Sequence, residues 1–116
     1  MLPSQDDYEI SPTQLAALKR APDPLRIRLI DCREEDEFFL CRIKNAELRP
    51  LSRFAEEAPN HLLNDPETPM FVYCHHGIRS MQATLLLRQW GKANVWSLAG
   101  GIDLWAQEID PAVNRY

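Results

Sequence analysis

The chain has 116 residues, 45% hydrophobic and 26% charged, with a net charge of −4, values that describe one globular domain able to build a core without disulfide staples. It has no block of basic residues to attract nucleic acid or an anionic membrane, and no apolar run approaches the roughly 18 residues of a membrane span. Its three cysteines, Cys32, Cys41 and Cys74, form an odd set without CxxC spacing, which predicts free thiols in a reducing compartment, with cytoplasm as the expected location, rather than a disulfide framework or a zinc site.

The polar, acidic first nine residues argue against a signal peptide. Residues 8–10 read as a short strand. Ser11-Pro12-Thr13-Gln14 then reads as a helix start, with Ser11 as cap, Pro12 at the first helical position and Gln14 where a capping box wants Glu or Gln. Leu15 and Leu18 supply its inward stripe, and Ala21-Pro22-Asp23-Pro24 ends it. Residues 25–30 alternate, Leu25, Ile27 and Leu29 against Arg26 and Arg28, which predicts a strand with one better-buried face. After Asp31-Cys32-Arg33, the acids at 34–37 fall in the first turn of a helix, where the dipole favours them. Phe38, Phe39 and Leu40 are expected to pack that helix on the sheet. Residues 41–50 are irregular, apart from a short strand at 46–48. Ser52 is a candidate cap for a helix running through Ala58, with Leu51 and Phe54 turned to the core. The proline- and asparagine-bearing stretch 59–69 reads as loop.

Met70–Tyr73 is a continuously apolar strand, as expected of one covered on both faces. Beyond residues 74–79, Ala83, Leu86, Leu87 and Trp90 recur at helical spacing and Gly91 stops the helix. Val95–Leu98 is a further strand, Ala99-Gly100-Gly101 a turn, and residues 102–108 a final helix packed through Leu104 and Trp105. Residues 110–116 read as a tail on a core of about 8–109. Strands alternate with helices throughout, which predicts a parallel α/β sheet whose ligands sit beyond the carboxyl ends of strands.

The chemistry concentrates at Val72-Tyr73-Cys74-His75-His76-Gly77-Ile78-Arg79-Ser80. Strand, tight loop and helix start together make an anion cradle, because the first N–H groups of a helix have no internal partner and the helix dipole is positive there. The same field favours S⁻ over S–H, so Cys74 is expected to be partly thiolate near neutral pH. Gly77 lets the loop bend. Arg79 is either a contact for an anionic substrate or a brace paired with a carboxylate. Asp31 and Arg33, at the end of the earlier strand, are expected on the same rim in a supporting role.

Four segments then resemble a single-domain rhodanese, a sulfurtransferase. Leu29-Ile30-Asp31-Cys32-Arg33-Glu34 resembles the family's strand ending in D-x-R-E. Ile43, Ala46 and Pro50-Leu51 fall along its G-H-I-x-G-A…P-L stretch, with Arg42, Lys44 and Asn45 standing where His, Pro and Gly are frequent. Residues 74–80 resemble the active loop C-x-x-G-x-R-S, and residues 98–105 the late L-x-G-G-x-x-x-W signature. The resemblance implies a rhodanese-like α/β fold, a central parallel sheet of about five strands with helices on both faces. It implies sulfane-sulfur transfer through a Cys74 persulfide, from thiosulfate or a persulfide donor to cyanide, a thiol or a protein, with no metal and no cofactor. The N–H groups of His75, His76, Gly77, Ile78, Arg79 and Ser80 would then face the persulfide. A six-residue loop suits one sulfur atom, whereas the related phosphatases carry a loop one residue longer.

The alternative is a persulfide carrier or protein-interaction module with little turnover on small molecules. Simpler readings stand beside the chemical ones. Cys74 can be an inert core thiol, although it leaves a strand and precedes polar residues. His75 and His76 are poorly spaced to share a metal with Cys74. Asp31 and Arg33 read as turn hydrogen bonds and an ion pair. Cys32 reads as a small apolar strand residue, nothing marks Cys41 as reactive, residues 34–37 read as a solvated helix start, and Trp90, Trp96 and Trp105 read as packing residues.

Overall fold

The computed structural model describes residues 1–21 and 26–116. Its sheet has five strands, β1 (Glu9–Ile10), β2 (Arg28–Asp31), β3 (Ala46–Leu48), β4 (Met70–Tyr73) and β5 (Val95–Leu98), in the order β1-β5-β4-β2-β3. Every pairing is parallel. The central strand β4 is buried along its whole length, as a strand covered on both faces must be. The two edge strands are only two and three residues long, which leaves little unpaired backbone to template a foreign strand.

Alternate residues along the strands serve two cores. Leu29, Phe71, Tyr73, Trp96 and Leu98 face α1 (Pro12–Arg20) and α5 (Gly101–Glu108), which bring Leu15, Leu18, Ile102 and Trp105. Ile30, Val72 and Val95 face α3 (Phe54–His61) and α4 (Ile78–Gln89), which bring Phe54, Ala58, Ala83 and Leu87. The expected α/β sheet with helices on both faces is therefore the fold. Each fully buried Leu, Ile or Phe adds roughly 1.5–3 kcal/mol over its exposed state.

The connection leaving β2 runs outward to β3, and the one leaving β4 runs the other way to β5, although β2 and β4 are neighbours. That reversal opens a crevice at their carboxyl ends, where open α/β sheets hold ligands. Asp31-Cys32-Arg33 and the loop after Tyr73 both emerge there.

Ser11 caps α1 as expected, its hydroxyl accepting from the Gln14 N–H at 3.1 Å. Four expectations need correction. Helix α2 (Glu35–Leu40) buries none of its residues, and Phe39 and Leu40 are 75% and 54% exposed. Six residues give too short a helix to cover the sheet; its hold comes from Glu37, described below. Ser52 caps nothing. It lies in a 3₁₀ turn, Leu51–Arg53, and its hydroxyl donates to the Glu34 carboxylate at 2.9 Å. Helix α3 runs on through Pro59 to His61. A proline there costs one backbone bond, and the Leu62 N–H still closes on the Ala58 carbonyl at 2.9 Å with Leu62 fully buried. Trp90 is 40% exposed at the end of α4, whereas Trp96 and Trp105 are core. The expected turn and strand start at residues 22–25 lie outside the described residues. Asn45, standing where the resembled family often has glycine, takes φ 70°, a left-handed conformation that asparagine tolerates better than most side chains.

Candidate functional site

Cys74 leaves the buried end of β4 and is itself buried. Gly77, at φ 108°, is the residue from which α4 starts, so the chain reverses within three residues and aims the helix start back at the sulfur. The Gly77 N–H reaches Sγ at 3.1 Å and the Ser80 N–H at 3.3 Å. The Ser80 hydroxyl lies 3.4 Å from Sγ and 2.7 Å from the Ser97 hydroxyl. All of these partners favour negative charge on sulfur, and the Cys32 thiol is the largest contributor. Against the opposing cost of burial, they hold the Cys74 thiol well below its ordinary range. Of the N–H groups expected to face the site, those of Gly77 and Ser80 are the ones that reach the sulfur among the described residues.

The loop is clamped from below by the start of α5. The Ile102 N–H donates to the Cys74 carbonyl at 2.9 Å and the Asp103 N–H to the His75 carbonyl at 3.1 Å. This approach is possible because residue 101 is glycine: it sits at φ 61°, and a Cβ there would run into the carbonyl oxygens of Cys74 and His75. The late glycine pair is thus a seat for the cysteine loop.

Arg79 does not reach toward the sulfur. It forms a fork with Glu37, Nη1 to Oε1 at 2.6 Å and Nη2 to Oε2 at 2.8 Å, which ties α4 to α2 and pulls the Glu37 carboxyl down to about 2. Glu37 is therefore not the solvated helix-start acid its position implied. Asp31 and Arg33 are both sealed from solvent and form a bidentate pair at 2.7–3.2 Å. Arg33 also donates to the Cys41 carbonyl at 2.6 Å and the Tyr116 hydroxyl at 2.9 Å. A buried ion pair is tolerable when its remaining donors are satisfied in this way.

Residues 110–116, read as a tail, return to the site. Tyr116 donates to Glu37 Oε2 at 2.7 Å, and its ring stacks on His75 at 3.9 Å. His75 stacks in turn on His76, also at 3.9 Å. His76 is largely exposed, with Nε2 3.8 Å from Asp103, and Ile78 is 76% exposed. The ligand atoms of His75, His76 and Asp103 come within 4.8 Å of one another. The two rings stack on one another, and Asp103 is engaged by Arg115 at 2.8 Å.

Sequence reasoning missed Glu37, Ser97, Tyr116 and Cys32. Ser97 carried a signal, as a polar residue inside a wholly buried strand. So did Cys32, one residue past its strand end as Cys74 is past its own. Glu37 and Tyr116 come from 42 and 79 residues apart in the network, a separation that local pattern does not encode.

A family model described as "Rhodanese-like domain" matches residues 11–108. The chain is similar to "Thiosulfate sulfurtransferase GlpE" from Coxiella burnetii (strain RSA 331), 34% identical over 82 residues covering 68% of this chain and 71% of that protein. It is similar to "Rhodanese-like/PpiC domain-containing protein 12, chloroplastic" from Arabidopsis thaliana, 33% identical over 90 residues, 77% of this chain but only 30% of that protein's length. Among solved structures, a rhodanese-related protein from Thermoplasma volcanium superposes with a TM-score of 0.76 at 28% identity, covering 93% of this chain and 98% of the other.

Proposed function

This chain belongs to the rhodanese-like domain family, and on that premise we propose that it transfers sulfane sulfur through a persulfide on Cys74. The observation carrying this reading is the convergence of the Gly77 and Ser80 N–H groups and the Ser80 hydroxyl on one buried sulfur at a helix start. Such donors hold a thiolate ready and, after the first half-reaction, hold the charge of the persulfide.

In the first half-reaction the Cys74 thiolate attacks the outer sulfur of thiosulfate. A sulfur–sulfur bond forms, the bond to the sulfonate breaks with its electron pair, and sulfite leaves: Cys74–S⁻ + S–SO₃²⁻ gives Cys74–S–S⁻ + SO₃²⁻. In the second, cyanide or a thiolate attacks the terminal sulfur and Cys74 leaves as thiolate; with cyanide the product is thiocyanate. The two halves share one covalent intermediate, so initial rates are expected to show ping-pong behaviour. Arg79 acts here as a brace for the loop, with Glu37 neutralising its charge, and Asp31 and Arg33 fix the rim. Cytoplasm or another reducing compartment suits a free thiolate of this kind. A Cys74→Ala protein should transfer no sulfur from thiosulfate to cyanide; retained activity would end this reading.

The exposed Ile78 at the loop tip favours one second reading, a persulfide carrier that docks a protein acceptor through that side chain. Rapid loading with poor turnover on cyanide, restored by a protein thiol, would point to it.

A further inference from the structure

Two cysteines, not one, occupy the crevice between β2 and β4. The register of these strands pairs Arg28 with Met70 and Asp31 with Tyr73. The first pair is tied by the Arg28 N–H to the carbonyl of Pro69, the residue before Met70, at 3.0 Å, and the Cys32 N–H reaches the carbonyl of Tyr73, the residue before Cys74, in the same way at 3.0 Å. The ladder thus continues one step, and Cys32 stands laterally opposite Cys74. Both side chains enter the same core cluster with Ile30 and Val72. Lateral neighbours in a sheet lie about 4.8 Å apart, inside the window of about 4.4–6.8 Å that the Cα atoms of a disulfide require.

We infer that Cys32 is a resolving thiol and that this pair is a site of peroxide modification, at which oxidation of Cys74 closes a Cys32–Cys74 disulfide. The inference rests on the reading of Cys74 as a reactive thiolate, though not on sulfur transfer itself. The Cys74 thiolate attacks one oxygen of a peroxide; a sulfur–oxygen bond forms, the oxygen–oxygen bond breaks, and the leaving oxygen takes a proton as water or an alcohol. Cys74 is now a sulfenic acid. The Cys32 sulfur then attacks Cys74 Sγ, the sulfur–oxygen bond breaks, and the departing hydroxide takes the Cys32 proton as a second water. Two thiols have lost two electrons and the peroxide has gained them. A dithiol reductant restores both cysteines.

The chemistry of the neighbours gives this order of events. While Cys74 carries charge, the neighbouring thiolate and burial keep the Cys32 thiol protonated and unreactive. Oxidation removes the charge from Cys74 and with it that restraint. The third thiol, Cys41, packs against the other core cluster, its Sγ 3.8 Å from Arg33 Nη1. Without a resolving thiol, a sulfenic acid held in such a cradle goes on to the irreversible sulfinic and sulfonic acids.

The test is reduced protein treated with hydrogen peroxide and no sulfur donor, followed by intact mass and a tryptic map without reductant. Trypsin places the three cysteines on separate peptides, 29–33 for Cys32, 34–42 for Cys41 and 54–79 for Cys74. The native chain is expected to lose two hydrogens, with peptides 29–33 and 54–79 joined, and dithiothreitol should reverse both. Cys32→Ser, which keeps a hydroxyl to donate, should instead gain two and three oxygens on peptide 54–79 more than about tenfold faster than the native chain. Oxygen uptake located by fragmentation to Cys74 of native peptide 54–79, rather than to Met70, without cross-linking, or a cross-link to 34–42, overturns the inference and leaves the sulfur-transfer reading standing. Inertness of Cys74 to both peroxide and iodoacetamide overturns the inference together with the thiolate on which both readings rest. The native map needs no variant to fold.

Discussion

Cys32 and Cys74 stand side by side at the ends of neighbouring parallel strands, in one core cluster, yet their surroundings drive them in opposite directions. The Cys74 sulfur receives two backbone N–H groups and lies beside the Cys32 thiol and the Ser80 hydroxyl, and its pKa falls despite burial. The Cys32 sulfur has burial and a neighbouring negative charge, and its pKa rises. Burial alone is the same for both and favours the neutral thiol. Besides their effect on each other, what separates them is the loop that follows. After β4 the chain turns through Gly77 into a helix of 12 residues whose start points at the sulfur; after β2 it runs through Arg33, whose charge is spent on Asp31, into a six-residue helix. The low Cys74 pKa thus owes to the Cys32 thiol beside it together with the helix start that follows it.

The comparison predicts, first, that the two cysteines differ most in what their loss does to sulfur transfer. Cys74→Ala should lower thiosulfate-to-cyanide turnover by about 10³-fold or more, whereas Cys32→Ser should leave the persulfide able to form. Equal losses in the two variants would make the pair a unit rather than a nucleophile and its neighbour.

The seat of the loop is the next place to break the contrast. Gly101→Ala places a Cβ against the carbonyls of Cys74 and His75 at a positive φ, and should cost about 2–4 kcal/mol of stability in denaturant unfolding. A variant as stable as the native chain would mean that α5 does not fix the loop.

Acidity sharpens the comparison further. Between pH 8 and pH 6 the alkylation rate of an ordinary thiol of pKa about 8.5 falls roughly 75-fold; that of Cys74 should change by less than about twofold, and Cys32 should stay unlabelled until the chain unfolds. Ser80→Ala, which removes the hydroxyl donor, should raise the Cys74 midpoint by about one unit. An unchanged midpoint would assign the thiolate to the Cys32 thiol and the backbone donors without the hydroxyl.

The smallest effect belongs to the brace. Glu37 is held at about 2, below its ordinary 4.5, chiefly by its fork with Arg79. The pair therefore stabilises the fold fully above pH 4.5, and that contribution fades as pH falls toward 2. Glu37→Gln should lose about 1 kcal/mol or less at pH 6, and the difference from the native chain should vanish near pH 2. A difference that persists at acid pH would place the role of Glu37 in packing rather than charge.

The sheet was legible because its strands are short, apolar and separated by helical patterns, and because Met70–Tyr73 could only be a strand covered on both faces. The strand-loop-helix order around Cys74 was legible because a helix start after a strand imposes its own geometry on whatever residue precedes it. What escaped is what depends on distant partners. Nothing near Arg79 in sequence names Glu37, and nothing near residue 116 foretells a tyrosine stacked on His75. Phe39 and Leu40 misled for the opposite reason: their apolar character is real, but a six-residue helix anchored through an ion pair need not bury them. Cys32 was passed over because a cysteine in an apolar strand is ordinarily inert, and only the lateral register gives it a partner.

The most direct test of the thiolate cradle is the intact mass of the protein after brief exposure to thiosulfate, for the native chain and for Cys74→Ala, each before and after cyanide. One added sulfur on the native chain alone, removed by cyanide, is the predicted result, since it requires a nucleophilic Cys74 and a persulfide that the loop can hold. A sulfur retained by Cys74→Ala, or a native chain that takes up none from either thiosulfate or a persulfide donor, would contradict it.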